Sequence, residues 1–364
     1  MTLENAIPAT PDRVRAEAFE QRMLDTLNAG ALALMISIGH RTGLFDVMSR
    51  TSAATSEGIA EEAGLQERYV REWLGAMVTG RIVDLDVDAA GGARRYALPA
   101  EHAAALTRDA SGNMAVTCQW IPLLGSVEDH VVECFERGSG VPYAAYERFH
   151  TVMAEQSVQT VVAALLGEIL PVVPGLIDDL ERGIDVLDVG CGSGRAINFL
   201  ARRFPKSRFT GIDLSEEAVE AARREAEARG LGNARFAARD VARLDDAAGF
   251  DLITAFDAIH DQARPDRVLA AIARALRPDG VFLMQEIAGT SHVERDLENP
   301  VGPFLYTVSC MHCMTLSLAQ GGAGLGAMWG RETATRMLRE VGFGDVTVRS
   351  LPHDVLNHYY TVRR

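Results

Sequence analysis

Three glycines at alternate positions, Gly190, Gly192 and Gly194, follow an apolar run from Ile184 to Val189. Glycine has no Cβ atom, so a turn built from it lets the backbone approach a ligand closely. The spacing is G-x-G-x-G, whereas the dinucleotide fingerprint requires G-x-G-x-x-G to seat a pyrophosphate on the next helix. A phosphate-binding Walker loop is excluded as well, because it ends in Gly-Lys-Ser/Thr and the only lysine is Lys206. The loop therefore predicts close backbone contact with a ligand of another kind.

Carboxylates occur near the ends of three successive predicted strands. Asp188 lies two residues before the first glycine, Asp213 ends the second strand and Asp240 follows the third. Asp188 could organise the loop or face a positively charged ligand group, and Asp213 could accept both hydroxyls of a ribose. Capping of a strand or helix, or simple solvation, is the alternative for each. Because ligands of open α/β sheets bind beyond the carboxyl ends of the strands, we expect the three to surround one ligand.

A candidate general base follows the fourth predicted strand, where His260 precedes Asp261. Histidine titrates near neutrality and can remove a proton from an acceptor, although the pair could instead cap a helix. Glu286, at the end of the fifth strand, could orient His260, and Asp257 could orient a ligand.

A long segment at about 288–330 separates the fifth strand from the next helix, and its length predicts a lid whose middle, Phe304–Leu316, is apolar and poor in charge. Cys310, His312 and Cys313 lie within it, but they supply at most three local ligands and no second Cys/His pair has zinc spacing, so no metal is expected. His312 is instead a second candidate for proton removal. Methionine-rich walls suit small, soft substrates. The predicted substrate contacts are Trp120, Tyr143, Phe149, Tyr306, Met311 and Met314.

Strands and helices alternate from residue 184 onward, which predicts a doubly wound parallel sheet. The predicted strands are 184–189, 208–213, 234–238, 250–256, 280–286, 345–350 and 357–363. The predicted helices between them are 195–204, 215–229, 264–277 and 331–341. This arrangement would bring the glycine loop, the carboxylates and the histidine to one edge of the sheet.

Apolar residues recur at helical spacing from Ala16 to Met48. Two short helices at 55–64 and 66–78 follow, and then a turn at 89–93 between two extended segments, which is typical of a winged helix. Such a domain either binds DNA or forms a dimer and covers the substrate. Residues 1–110 contain 11 arginines and 16 acidic residues, a net charge of −5, which favours the dimerisation role. We predict a winged-helix domain at 1–110, a helical connector at 111–183 that contributes to the substrate pocket, and a catalytic domain at 184–364.

The amino-acid composition indicates the general class of protein. With 48% hydrophobic and 24% charged residues among 364, the chain is globular, and no apolar run reaches the ~18 residues of a membrane span. No secretory signal follows Met1, and five scattered cysteines are typical of a reducing compartment, so a cytoplasmic location is expected. The net charge of −14 argues against nucleic acid as a partner.

Together, the segment Val186–Gly194, Asp213 and the His260–Asp261 pair resemble the class I methyltransferases that use S-adenosylmethionine (SAM). The winged helix is similar to that of plant and bacterial small-molecule O- and S-methyltransferases. The resemblance implies a Rossmann-like α/β sheet of seven strands with the last strand antiparallel, SAM as cofactor and S-adenosylhomocysteine (SAH) as product. The implied cofactor contacts are Asp188, Gly190, Gly192, Gly194, Asp213, Leu214, Asp240, Val241 and Phe256. One departure is Gln262, where the O-methyltransferases usually have tryptophan.

The sequence thus predicts a SAM-dependent small-molecule methyltransferase with His260 as general base, and a homodimer through the N-terminal domain without membrane or nucleic-acid partners. A thiol acceptor is favoured, because a thiol with a pKa near ~8.5 loses its proton more easily than an aliphatic alcohol. A small hydroxylated metabolite is the alternative acceptor. An alternative of another class is a SAM-binding transcriptional regulator, and the fold alone does not exclude an aminopropyl-transferring or decarboxylating enzyme.

Overall fold

The computed structural model describes residues 12–87, 92–110, 112–244 and 248–364, and the chain divides into two compact units, Met1–Pro122 and Leu123–Arg364. The segment after Met1 and part of the predicted turn at 89–93 lie outside the described residues. Among the helices that are described, none combines the length and apolar character that a membrane crossing requires.

The first unit is mainly helical and ends in a two-stranded wing. Its elements are α1 (Arg13–Thr42), α2 (Leu44–Arg50), α3 (Ser56–Ala63), α4 (Glu67–Thr79), β1 (Asp84–Val87), β2 (Arg94–Ala97), α5 (Ala100–Leu106) and α6 (Met114–Thr117). Thr55 caps α3 by accepting from the Gly58 N–H, and Gly64 ends that helix in the left-handed conformation. Strands β1 and β2 pair antiparallel. Phe45 and Trp73 meet edge to face, with ring centroids 5.2 Å apart, in the core of this winged helix.

Helices precede the sheet of the second unit. They are α7 (Trp120–Gly125, which begins in the first unit), α8 (Glu128–Arg137), α9 (Phe149–Ser157) and α10 (Leu176–Arg182), with π-helical turns at Val158–Val162 and Leu165–Ile169. The helical character predicted for 111–183 is present in the described residues. The predicted domain boundaries themselves remain predictions.

A seven-stranded sheet forms the centre of the second unit, in the order β5-β4-β3-β6-β7-β9-β8. The strands are β3 (Asp185–Val189), β4 (Arg208–Asp213), β5 (Ala234–Ala238), β6 (Phe250–Phe256), β7 (Leu276–Ile287), β8 (Thr347–Leu351) and β9 (Asp354–Arg363). β9 runs antiparallel to both of its neighbours, as the resemblance implied, and the other pairs are parallel. The helices between and after these strands are α11 (Arg195–Arg203), α12 (Glu216–Ala228), α13 (Pro265–Ala275), α14 (Gly302–Val308), α15 (Met314–Ala319) and α16 (Gly330–Glu340).

The end of α13 and the segment at 288–330 differ from the sequence expectation. Helix α13 ends at Ala275 and β7 begins at Leu276, instead of a helix to 277 and a strand from 280. Pro278 explains the early end, because the residue before a proline is disfavoured in helical conformation. The segment at 288–330 is also more regular than a loop, since α14, a π-helical turn at Ser309–Cys313 and α15 occupy its centre.

The chain leaves β3 for β4 and β5 on one side and then crosses to β6 on the other side. Strand order therefore reverses between β3 and β6, and their carboxyl ends carry Asp188 and Asp257. Such a reversal is where open α/β sheets bind ligands.

Candidate functional site

The glycine loop after β3 depends on backbone conformations that only glycine adopts easily. Gly190, Gly192 and Gly194 have φ values of 71°, 50° and 68°. The N–H groups of Gly190 and Cys191 both donate to the carbonyl of Ile212, at 2.8 and 3.1 Å, which fastens the loop to β4. A Cβ built on Gly192 meets no atom within 4 Å, so open space lies in front of the loop.

Asp213 connects this loop to the next helix. Its Oδ2 accepts from the Gly192 N–H at 2.9 Å and its Oδ1 accepts from the Ser215 N–H at 2.8 Å. Ser215 caps α12 by accepting from the Ala218 N–H. Each carboxylate oxygen can accept a further hydrogen bond, so Asp213 can still receive the two hydroxyls of a ribose.

Asp188 is only 3% exposed and accepts from the Thr254 hydroxyl at 2.6 Å on the neighbouring strand β6. Burial raises the pKa of Asp188 to about 7; the nearby Asp213 charge adds to the rise and the Thr254 hydrogen bond opposes it. A positively charged ligand group beside Asp188 would favour its ionised form.

The other predicted cofactor contacts occupy different surroundings. Leu214 is 46% exposed, which leaves its side chain available to a ligand. Asp240 accepts from the Ala242 N–H at 2.9 Å and begins the short helical turn in which Val241 is buried. Phe256 is half-buried at the end of β6.

His260 lies between two carboxylates. Its Nδ1 contacts Glu286 Oε2 directly, and its Nε2 is 3.1 Å from Asp261 Oδ1. Glu286, which is fully buried at the end of β7, also accepts from the Ile259 N–H at 2.9 Å. Burial lowers the pKa of His260, but the charges of Glu286 and Asp261 outweigh burial and raise it well above the usual range.

Asp261 is the second carboxylate of this group. Burial alone would raise its pKa, whereas the charge and hydrogen bond of His260 lower it to about 2. Glu286 and Asp261 therefore place two carboxylates around one imidazole that can hold a proton.

The π-helical turn at Ser309–Cys313 brings His312 and Cys313 to this region, and both are buried. The His312 ring stacks on Phe149, with centroids 4.4 Å apart, and meets Tyr146 edge-on. Burial lowers the pKa of His312 to about 4, which keeps it neutral. Tyr143 lies 5.5 Å from Phe149, centroid to centroid, so two of the predicted aromatic contacts and His312 form one aromatic group.

The remaining predicted substrate contacts, Tyr306, Trp120, Met311 and Met314, stay predictions. Tyr306 is 38% exposed and donates to Asp296 at 3.1 Å, whereas Trp120 belongs to the first unit. Met311, in the π-helical turn, and Met314, at the start of α15, are half-buried, and the Met311 carbonyl accepts from the Tyr146 hydroxyl at 2.6 Å.

The sequence analysis named His260, Asp261 and Cys313 but did not predict that they lie together, because their proximity depends on long-range packing. His260, Asp261 and Cys313 place one potential metal-ligand atom each within 4.8 Å of one another, and this set excludes Cys310. Three donors are one fewer than a structural zinc site, and the expected absence of a metal stays a prediction. The sequence analysis also did not name Thr254 and Gln285. Each acts through a hydrogen bond to a residue that is distant in sequence, Thr254 to Asp188 and Gln285 to Asp257.

Comparison with known proteins gives two family matches. Residues 30–108 match the family described as the Rv2258c-like winged HTH domain, and residues 180–342 match the family described as a methyltransferase domain.

The chain is also similar to individual proteins. Over 105 residues the chain is 37% identical to the fatty-acid O-methyltransferase of Mycolicibacterium smegmatis, covering 29% of this chain and 37% of that protein. Over 116 residues it is 41% identical to the nocamycin O-methyltransferase of Saccharothrix syringae, covering 30% and 41%. The matches therefore span about two fifths of these relatives. The crystal structure of human N-acetylserotonin methyltransferase in complex with SAM superposes with a TM-score of 0.68 at 15% identity, over 98% of this chain and 99% of that one.

Proposed function

We propose that this chain, which has the class I SAM-dependent methyltransferase fold behind an N-terminal winged-helix domain, transfers the methyl group of SAM to an oxygen atom of a small molecule. The observation that carries the proposal is the buried His260–Glu286 pair at the edge of the sheet that also bears the glycine loop. The predicted fold and methyltransferase domain are confirmed by the family matches. The predicted cofactor is the one bound to human N-acetylserotonin methyltransferase.

The residues after β3 and β4 fit SAM. Gly192 leaves open space for a ligand, Asp213 retains acceptor positions for ribose hydroxyls and Asp188 offers a buried carboxyl to a positive group. When bound, SAM supplies an electrophilic methyl group on a positively charged sulfur. The role of the chain is to hold donor and acceptor in line, because methyl transfer is a displacement that depends on alignment.

His260 would take the proton of the acceptor hydroxyl at Nε2, since Glu286 already holds Nδ1. With that proton held by His260, the acceptor oxygen could take the methyl group that bound SAM would supply, with SAH as the second product. Glu286 fixes the ring orientation and stabilises the imidazolium that forms, as an orienting carboxylate does for other histidine bases.

Oxygen is the acceptor atom that the relatives support, because both curated relatives are named O-methyltransferases. The thiol favoured in the sequence analysis has no comparable support and enters the test as the competing acceptor. The aromatic group of Tyr143, Phe149 and His312 suits a small, flat, largely apolar acceptor.

A second copy of the chain is the proposed protein partner. Helix α1 exposes many large apolar side chains to solvent in the single chain, which is unusual for a helix of 30 residues. These are Val14, Phe19, Met23, Leu24, Leu27, Leu34 and Ile38. Burying them between two chains would give the homodimer expected from the sequence.

The test of the activity is SAH release from SAM with a panel of matched phenols, carboxylic acids and thiols. We expect oxygen acceptors to be used, and His260→Asn to lower kcat by about 10²- to 10⁴-fold with the Kd for SAM unchanged. His292→Asn, a partly exposed histidine paired with Glu294, is the matched control and should retain full turnover. Turnover with thiols alone, SAH release by His260→Asn at the wild-type rate, or no release with any acceptor would contradict the proposal.

A further inference from the structure

Two neighbouring residues of β7, Gln285 and Glu286, hold the turn that follows β6. Gln285 accepts from the Asp257 N–H at 3.0 Å and donates from Nε2 to Asp257 Oδ2 at 2.7 Å. Glu286 binds the Ile259 N–H and His260 Nδ1. Both residues are fully buried, so the four-residue turn 257–260 is fixed from one strand at two successive positions.

Two polar atoms of this arrangement have no hydrogen-bond partner among the described residues. They are Asp257 Oδ1 and Gln285 Oε1, and both are buried. They belong to the same two planar groups that share the Nε2–Oδ2 hydrogen bond. If Asp257 were ionised, both atoms would be acceptors without a donor, which is costly for buried groups. A protonated carboxyl carries one O–H donor, and donation from Oδ1 to Gln285 Oε1 would satisfy both atoms at once.

We propose that Asp257 is a neutral carboxylic acid that pairs with both polar atoms of the Gln285 amide and thereby positions the turn that carries His260. Asp257 is a positioning residue in this scheme, because it acts through the backbone of the turn. The pairing stands independently of the activity, whereas its consequence for the base rests on the proposed function.

The surroundings favour the neutral acid. Burial raises the pKa of Asp257 well above its usual range, and the charges of Glu286 and Asp354 raise it further. The charge of His260 and the hydrogen bond from Gln285 oppose the rise and do not cancel it. A neutral Asp257 avoids another negative charge beside Glu286.

The backbone explains why the turn needs such a clamp. Asp257 has φ = 51°, in the left-handed region that is strained for a residue with a side chain. The next residue, Ala258, packs on the glycine loop so closely that a Cβ built on Gly190 would lie 2.4 Å from its Cβ. The acid–amide pair therefore holds a strained turn in contact with the loop on one side and with Glu286 on the other.

Asp257→Asn is the matched variant. Asparagine tolerates positive φ, and its amide can accept from Gln285 Nε2 and donate to Gln285 Oε1, so both hydrogen bonds remain without a titratable proton. Asp257→Leu removes both bonds.

The first measurement is the infrared spectrum of the purified protein, without SAM or acceptor, at pH 7. The difference between wild type and Asp257→Asn isolates Asp257 from other protonated carboxyls such as Asp188. We expect the wild type to show a protonated-carboxyl C=O band that shifts in D₂O and is missing from the variant. A difference spectrum with only a carboxylate band would overturn the proposal.

The second measurement is Tm against pH. The pKa of Asp257 is higher in the folded state than in the unfolded state. Protonation of Asp257 therefore stabilises the folded protein fully below about pH 4, and this stabilisation decreases as the pH rises. The Tm of Asp257→Asn relative to wild type should therefore increase from pH 4 to 8. Asp257→Leu should have a lower Tm than Asp257→Asn at every pH. If Asp257→Leu does not fold, the Tm curves of wild type and Asp257→Asn still decide whether Asp257 is neutral. A flat or falling difference means an ionised Asp257 and refutes the proposal, whatever the outcome of the SAH-release assay.

Discussion

The two nitrogens of His260 have different partners. Nδ1 contacts the fully buried Glu286, whereas Nε2, the nitrogen proposed to accept the proton, lies 3.1 Å from Asp261 Oδ1. The contact with Glu286 fixes the orientation of the ring. Asp261 adds a negative charge next to Nε2, the nitrogen to which the acceptor hydroxyl would donate its proton. Because both carboxylates raise the pKa of His260, the imidazole is protonated at neutral pH more often than a free histidine. Turnover that needs the neutral ring should consequently rise with pH through and above neutrality.

Asp261→Asn tests this electrostatic account. Removing one negative charge beside Nε2 lowers the pKa of His260, so the acid limb of the kcat–pH profile should shift to lower pH by on the order of one unit. The measurement is kcat for SAH release between pH 5 and 9 at saturating SAM.

Glu286→Gln is the contrasting variant. A glutamine amide that donates to Nδ1 forces the ring proton onto Nε2, where it blocks proton removal, so kcat should fall at every pH by about 10²- to 10⁴-fold. An unshifted profile for Asp261→Asn, or retained turnover for Glu286→Gln, would contradict the assigned roles.

At the scale of elements, the contact between the glycine loop and the β6 turn joins the cofactor side of the sheet to the base. Gly190 faces Ala258, whereas Gly192 faces open space. The two glycines therefore serve different purposes although both have positive φ. One permits packing between two loops of the protein and the other permits approach of a ligand.

Substitutions of these glycines by alanine should separate the two purposes. Gly190→Ala should lower stability by about 1–3 kcal/mol, because its Cβ would overlap with that of Ala258. Gly192→Ala should lower Tm less and weaken SAM binding more, since its Cβ projects toward the proposed ligand. Gly230→Ala, with φ = 66° and open space, is the control for backbone strain alone. The checks are Tm and the Kd for SAM by calorimetry; equal losses of SAM affinity in Gly192→Ala and Gly230→Ala would refute a ligand at Gly192.

The same elements show what the sequence can predict. Strands β4, β5 and β6 have the predicted bounds, because each is an apolar run closed by turn residues. The approach of Cys313 to His260, and of Gln285 to Asp257, joins residues that are far apart in sequence, and no local pattern encodes it. The hydrogen bond from the Tyr306 hydroxyl to Asp296 is another contact that the sequence did not predict, and the role of Tyr306 as a substrate contact stays a prediction.

At the scale of the whole molecule, helix α1 determines the expected assembly. Leu27 is 70% exposed in the single chain, and Met23, Leu34 and Ile38 follow the same helical spacing. Leu27→Glu should convert a dimer to a monomer, because it introduces a charge into the apolar contact. Mass measurement by light scattering during size-exclusion chromatography checks this.

Gln21→Glu adds the same charge at an exposed polar position of α1 and should leave the dimer intact. Identical masses for Leu27→Glu and wild type would rule out this face as the dimer contact.

The position of β9 has a consequence for biosynthesis. This last strand lies between β7 and β8, and Arg363 pairs with Val281 across the sheet. While the ribosome is still adding these residues, β8 has no neighbour in the sheet and β7 has one unpaired edge. β9 can pair with β7 and β8 along its full length only after residue 363 has left the exit tunnel. A nascent chain stalled within β9 would therefore leave strand edges of β7 and β8 unpaired and accessible to chaperones or to aggregation.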